Sequence, residues 1–279
     1  MTYCIVARDC TTGEIGLAQA SHSTNVSAKT LAVASPDVRC LAICQSFSDL
    51  RVAHRALELV RAGERPSTAL AAANAFIDGA DFRQLLCVDL HGGIAVLSGE
   101  RCVAETVKAL SPDGDMGMAG NMLMSSSAAH AAIAAWESSP YDLTHRLMLV
   151  LRAVAETGGD VRGDRSASIL IHGGPQPMDV RVVDSDDPLT VLRDRLSDAL
   201  AGRAVAEARH WWMRDGHRGI EAPAELIAQL RNYAFTTTTV EALVWAMVSD
   251  PSLVLARDRR AQLAGEIAER LLDSRRQGS

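Results

Sequence analysis

The sequence predicts a layered α+β protein followed by an all-helical extension. Short β-prone runs and tight turns come in blocks, and these alternate with blocks of two amphipathic helices rather than as single strand–helix–strand units. Strand signals stop after about Gly202. The 279 residues, 48% hydrophobic and 22% charged, also suffice for one large domain or two with buried cores.

Residues 3–8 form a β-prone run, residues 9–14 supply turn chemistry, and residues 15–21 complete an antiparallel hairpin. Residues 31–35 and 38–45 give a second strand pair around Pro36-Asp37. Ser48-Asp49 opens a helix whose apolar stripe is Leu50, Val52, Ala53, Ala56, Leu57 and Val60, and Gly63 ends it. Pro66-Ser67 opens the next, through Ala69, Leu70, Ala73 and Phe76 to Gly79. Residues 83–89 and 94–98 flank the hairpin turn His91-Gly92-Gly93. A short run at 116–122 precedes helices at about 127–137 and 142–157. The glycine-rich segment 158–163 leads to strands at 167–172 and 180–183, then to a helix at 188–200. The layered domain is therefore residues 1–201, and residues 202–279 are the helical extension. In that extension Thr238 and Glu241 make a capping box, and Asp250-Pro251 opens a charged amphipathic helix to Leu272. Arg275 to Ser279 reads as a frayed tail. The extension reads as a packing or dimerisation element, with a ligand-binding module as the alternative, so a homo-oligomer is expected.

Composition narrows the partners. Lys and Arg number 28 against 34 Asp and Glu, a net charge of −6, which argues against the basic footprint of a nucleic-acid binder. Aromatics at 4% leave little for a base-stacking platform. No apolar run reaches the ~18–20 residues of a membrane span, and the first residues lack a signal peptide's pattern. A soluble, cytoplasmic protein with a small-molecule substrate is the expectation, with no nucleic-acid or membrane partner. Cysteines at 4, 10, 40, 44, 87 and 102 show no Cys-x-x-Cys pair and no zinc-like His spacing. They read as small hydrophobes, and neither metal nor cofactor is expected. Walker, Gly-x-Gly-x-x-Gly, Gly-x-Ser-x-Gly and His-Glu-x-x-His signatures are absent.

What remains is the start of the chain. Thr2 follows Met1, and a small second residue favours Met removal. A free N-terminal threonine joins a hydroxyl nucleophile to its own α-amine, whose ordinary pKa of about 7.7–8.0 suits it as a base near neutrality.

The segments Thr2 to Asp9, Thr12-Gly13-Glu14-Ile15-Gly16, Gln19-Ala20-Ser21-His22 and Gln45 resemble the DUF1028 family of N-terminal nucleophile (Ntn) hydrolase-like proteins. So do Leu57 to Gly63, Gly99-Glu100-Arg101-Cys102, Gly120-Asn121-Met122-Leu123, Gly158 to Gly163 and Ser166-Ala167, in family order over about residues 2–195. The resemblance implies a four-layer αββα Ntn-hydrolase-like sandwich whose first strand presents Thr2, and the first expectation for function is an amidohydrolase cleaving a small amide or lactam through that residue. A catalytically silent metabolite-binding protein and an assembly protein oligomerising through its helical tail are the alternatives.

In that reading Thr2 is the nucleophile and its amine the base. Ser21 hydrogen-bonds the amine or is a strand-end hydroxyl. Gln45, the backbone amides at Ser46 to Asp49 and Asn121 are candidate oxyanion donors, Asn121 alternatively making a turn. Cys4 lines the pocket or is a half-buried thiol. His22, Asp160, Arg162 and Arg165 are placed on the substrate side. Asp160 and Arg162 read either as a pair that orients the amine or binds an anion, or as a solvated turn pair. Two departures stand out: Asp164-Arg165-Ser166 replaces the family's common Arg-Gln-Ser, and the helical tail is unlike the peptidoglycan-binding-like tail of some members.

Overall fold

The computed structural model describes residues 2–30, 33–35, 39–174, 177–218, 220–236, 240–251, 253 and 259–277. It is a mixed α+β structure with antiparallel sheets and a helical C-terminal region, in two compact units, Met1–Arg193 and Asp194–Ser279.

β1 (Thr2–Asp9) and β2 (Glu14–Ser21) form the expected hairpin, with Thr2 opposite Ser21. Its turn closes because the Asp9 carboxylate accepts from the Thr11 amide at 2.8 Å and Gly13 supplies a φ of +74°. A four-residue helix, α1 (Val26–Lys29), follows, capped by Asn25. Then come β3 (Val33–Ser35) and β4 (Cys40–Ser46); the expected Pro36-Asp37 turn lies outside the described residues. α2 (Leu50–Arg61) starts where Asp49 accepts from the Arg51 amide at 2.9 Å, and α3 (Pro66–Ala75) starts on its proline. β5 (Arg83–Asp89) and β6 (Gly93–Ser98) are the expected hairpin. β7 (Val107–Leu110) is a strand the sequence reading lacks, and β8 (Met116–Gly120) follows. α4 (Ala128–Glu137), α5 (Leu143–Glu156), β9 (Ser166–Gly173) and β10 (Met178–Val182) complete the unit.

The strands form a six-stranded sheet, order β10-β9-β2-β1-β8-β7, and a four-stranded sheet, order β3-β4-β5-β6. Every neighbouring strand pair among the described residues is antiparallel. Alternation along each strand decides what each face meets. Cys4, Val6, Ile15 and Leu17 of the larger sheet share a core with Leu41, Ile43, Leu86 and Val88 of the smaller. The opposite face of the smaller sheet, with Cys40, Ala42, Cys44 and Cys87, packs on Val52, Ala56 and Leu57 of α2 and on Ala69 and Leu70 of α3. α5 packs on β1, β2 and β9 of the larger sheet. Small residues let it come close: a Cβ on Gly16 would lie 2.4 Å from Leu147 Cδ1. All six cysteines are free thiols; Cys4, Cys40, Cys44 and Cys87 are buried, as the reading of small hydrophobes expects.

α6 (Pro188–Arg214) runs past the expected end near Leu200, because a lone glycine at 202 costs only ~1 kcal/mol in a helix and here faces open space. α7 (Ala224–Thr236), α8 (Val240–Ser249) and α9 (Arg259–Gln277) follow. Their core includes Ala204, Ala208, Leu230, Ala242 and Ala264, with Trp212 edge-on to Trp245 at 6.3 Å. Thr238 of the expected capping box lies outside the described residues. Pro251 sits in a turn and Leu253 lies outside any helix, which corrects the helix start expected at Asp250-Pro251; the described part of the last helix is α9. Among the described residues no helix is long and apolar enough to cross a membrane.

Candidate functional site

The facing surfaces of the two sheets change character along the strands. On the larger sheet, Thr2, Ser21 and Ser166 lie in one cross-strand row, and Cys4, Gln19 and Ser168 in the next. Val6, Leu17 and Leu170 then form an aliphatic row. On the smaller sheet, Gln45, Gln84 and Ser98 form a polar row ahead of Ile43, Leu86 and Val96. The polar ends meet: Gln45 Nε2 donates across the gap to the Ala119 carbonyl at 3.1 Å and the Thr2 carbonyl at 3.4 Å.

Thr2 heads β1, an interior strand of its sheet, and is 4% exposed. Its Oγ1 donates to Ser21 Oγ at 3.2 Å, and that oxygen also accepts from the Ser23 amide at 3.0 Å. Asn121, one residue past β8, donates its backbone N–H to the Thr2 carbonyl at 3.3 Å. Gln84 ties the surroundings together, and the sequence reading missed it. Its Oε1 accepts from Gln45 Nε2 at 2.9 Å and Asn121 Nδ2 at 2.8 Å, while its Nε2 donates to Ser98 Oγ and to the Val107 and Gly120 carbonyls. The available signal is a glutamine on the same strand phase as Leu86 and Val88. Ser46 (φ 68°) and Met122 (φ 50°), each following one of the paired carboxamide residues, adopt left-handed backbone that non-glycine residues rarely enter.

The structure brings Thr2, Ser21, Gln45 and Asn121 together but changes what two of them offer. The side-chain amino groups of Gln45 and Asn121, expected to face an oxyanion, are engaged by the Thr2 carbonyl and Gln84. The Phe47 amide is taken by the Phe82 carbonyl and the Asp49 amide by Cys44 Sγ. Cys4 is fully buried, its Sγ 3.5 Å from Gln19 Oε1, and burial pushes its thiol well above the usual value. It is a neutral core thiol. Gln19 in turn holds Thr30 Oγ1 at 2.6 Å and Ser168 Oγ at 2.9 Å, a buried polar cluster the sequence reading did not single out.

The loop at 158–165 supports this end from outside. Asp160 is 2% exposed and accepts from the His22 amide, the Arg162 amide and both arms of the Arg162 guanidinium, at 2.8–3.2 Å. Burial works to raise its carboxyl, but the Arg162 fork and these amides hold it below the usual value. The pair is a clasp on the backbone beside Ser21, neither a solvated turn pair nor an open anion site. His22 Nδ1 lies 2.8 Å from the Gly163 carbonyl. Arg165 turns to Asp184 and gives its backbone N–H to the Ser21 carbonyl. Arg162 and Arg165, expected on the substrate side, each have a carboxylate partner, Asp160 and Asp184.

Asp164, one of the departures from the family pattern, accepts from the Tyr3 hydroxyl at 2.7 Å, and burial pushes its carboxyl up to about 6. An acid whose folded pKa is raised holds its proton more tightly folded than unfolded, so its contribution to stability falls as pH rises from about 4 to about 6. Asp164→Asn is expected to be more stable than wild type at pH 7.5 by ~1–2 kcal/mol, after discounting for partial exposure, and equal to it below pH ~4. Urea midpoints across that range check this; a gap independent of pH counts against it.

An open cleft of about 240 Å³ lined by Arg152, Ala155, Glu156, Leu189, Thr190 and Arg193 contains none of these residues. Among the described residues, no three His, Cys, Asp or Glu side chains group as a metal site.

Fold and site define a class: an α+β protein of paired antiparallel sheets, with a buried polar cluster at the head of its first strand. The chain belongs to the DUF1028 family, a family of unknown function, whose sequence model matches residues 2–192. It is similar to protein SPO2555 from Silicibacter pomeroyi, a DUF1028 protein of known crystal structure, with 25% identity over 71% of this chain and 88% of that one, at a TM-score of 0.64. No curated protein matches the chain.

Proposed function

We propose that the chain is an amidohydrolase of the Ntn type, its first unit a four-layer αββα sandwich and Thr2 its nucleophile once Met1 is removed. The observation that carries this is the placement of Thr2: the first residue of an interior strand, at the polar end between two sheets, with its hydroxyl on Ser21 and carboxamides on its carbonyl. In the reaction, the α-amine takes the Oγ1 proton and the Oγ1 electron pair bonds the amide carbon of the substrate. The amine's proton then goes to the leaving nitrogen, and water hydrolyses the acyl-threonine. The substrate class is a small amide or lactam.

The burial of Thr2 and the engagement of the expected oxyanion donors favour a second reading, a silent Ntn-like fold that binds a metabolite in the same place. Intact mass of the chain purified from its native host, followed by a panel of small amides, separates the two. Loss of Met1 with turnover of an amide is expected; complete retention of Met1 overturns the hydrolase reading, and tight binding without turnover selects the second.

A further inference from the structure

Two buried side-chain oxygens beside Thr2 have no hydrogen-bond partner among the described residues: Gln45 Oε1 and Asn121 Oδ1. Their residues are 1% and 0% exposed. Leaving a buried acceptor unpaired is costly, and two on neighbouring side chains ask for a donor. Exchanging oxygen for nitrogen does not supply one. Gln45 Nε2 faces three acceptors, the Thr2 and Ala119 carbonyls and Gln84 Oε1, and Asn121 Nδ2 faces the Thr2 carbonyl and Gln84 Oε1. Turning either group would set oxygen against oxygen. Gln84 cannot turn to relieve this, because its own Nε2 already faces Ser98 Oγ and two carbonyls.

The direction of the Thr2 nitrogen narrows the choice of donor. In an antiparallel strand the N–H and C=O of one residue project to the same side. The Thr2 carbonyl accepts from the Asn121 backbone amide, so the Thr2 nitrogen also projects toward β8, the side on which Asn121 lies; the Gln45 carboxamide reaches the same carbonyl from the facing sheet. A neutral primary amine has two N–H bonds and one lone pair, and the site offers two unpaired acceptors.

We infer that Gln45 Oε1 and Asn121 Oδ1 receive the two N–H bonds of the Thr2 α-amine in the chain that begins at Thr2, leaving its lone pair for Oγ1. The inference rests on the Thr2 reading and adds the positioning residues that reading lacks. In the transfer the lone pair takes the Oγ1 proton, and the Oγ1 electrons form the bond to the substrate carbonyl carbon. Uncharged acceptors orient the amine without the large rise in its pKa that a carboxylate partner would impose, so it stays a usable base near neutrality.

The test uses the full chain released with Thr2 as its first residue, checked by intact mass. A crystal structure of this wild-type chain is expected to place the Thr2 nitrogen within about 3.2 Å of both oxygens. A water on either oxygen, or a nitrogen turned away from both, overturns the inference. In solution, 15N-labelled threonine reports the amine's titration without any need for turnover. Asn121→Asp is expected to raise the amine pKa by about one unit or more, and Gln45→Glu does the same if the first variant fails to fold. An unchanged amine pKa with a raised KM for amides assigns the oxygens to the substrate and overturns the inference. Retention of Met1 in the native host defeats the Thr2 reading by itself, and the titration of the released chain still gives its own answer.

Discussion

Thr2→Ala in the chain that begins at residue 2 is expected to lower kcat/KM for any amide it turns over by at least about 10³-fold. That is ~4 kcal/mol of transition-state stabilisation at ~1.36 kcal/mol per decade. The loss is chemical, because the variant removes the hydroxyl oxygen that forms the acyl ester. Little else changes. The substitution deletes one hydrogen bond, from Thr2 Oγ1 to Ser21 Oγ at 3.2 Å, which contributes ~1 kcal/mol to stability. Alanine is as small a second residue as threonine, so Met1 removal is preserved and the amine remains in place. Thr2→Ser, which keeps the oxygen, is expected to stay within about tenfold of wild type. Single-turnover kinetics with intact-mass detection of an acylated wild type complete the comparison. An alanine variant with undiminished turnover would assign the chemistry to another group and leave Thr2 a buried strand residue.

The parts of the fold legible in the sequence are those that local chemistry decides. Two β-prone runs around turn residues mark the β1–β2 hairpin, Asp49 marks the start of α2, and Pro66 marks α3. β7 escaped because four residues with a lysine among them show too little alternation to register. α6 was cut short because a glycine reads as a stop, although an exposed helical glycine is only mildly unfavourable. At the site, the Asp160–Arg162 pair is two residues apart and legible in the sequence, whereas the partner of Arg165 is Asp184, 19 residues on, which no local pattern names. Gln84 shows the same limit. Its partners Gln45, on β4, and Asn121, just past β8, lie 39 and 37 residues away, and no periodicity within β5 can name them. Thr2, Ser21, Gln45 and Asn121 were found as neighbours, but the roles of the two carboxamides follow only from which of their atoms face a carbonyl.

Gln84→Leu is expected to destabilise the protein by ~2–4 kcal/mol, more than any other single change in the carboxamide cluster. Leucine nearly matches the volume, so the cost does not come from a cavity. It comes from groups left without partners. Gln84 is fully buried, and its Oε1 is the 2.8 Å acceptor for Asn121 Nδ2, which would keep only a 3.5 Å contact to the Thr2 carbonyl. Ser98 Oγ loses its donor as well. In the chain that retains Met1, Gln45→Leu removes comparable bonds but also removes an oxygen with no partner among the described residues, so its expected cost there is smaller, ~1–2 kcal/mol. Denaturant midpoints of the two variants measured side by side test the ordering. A Gln84→Leu midpoint within error of wild type would mean that the cluster does not hold the polar end of the two sheets together. If the ordering holds, the same variant should also slow turnover without touching Thr2, because two of the three donors on the Thr2 carbonyl are carboxamides that Gln84 keeps in place.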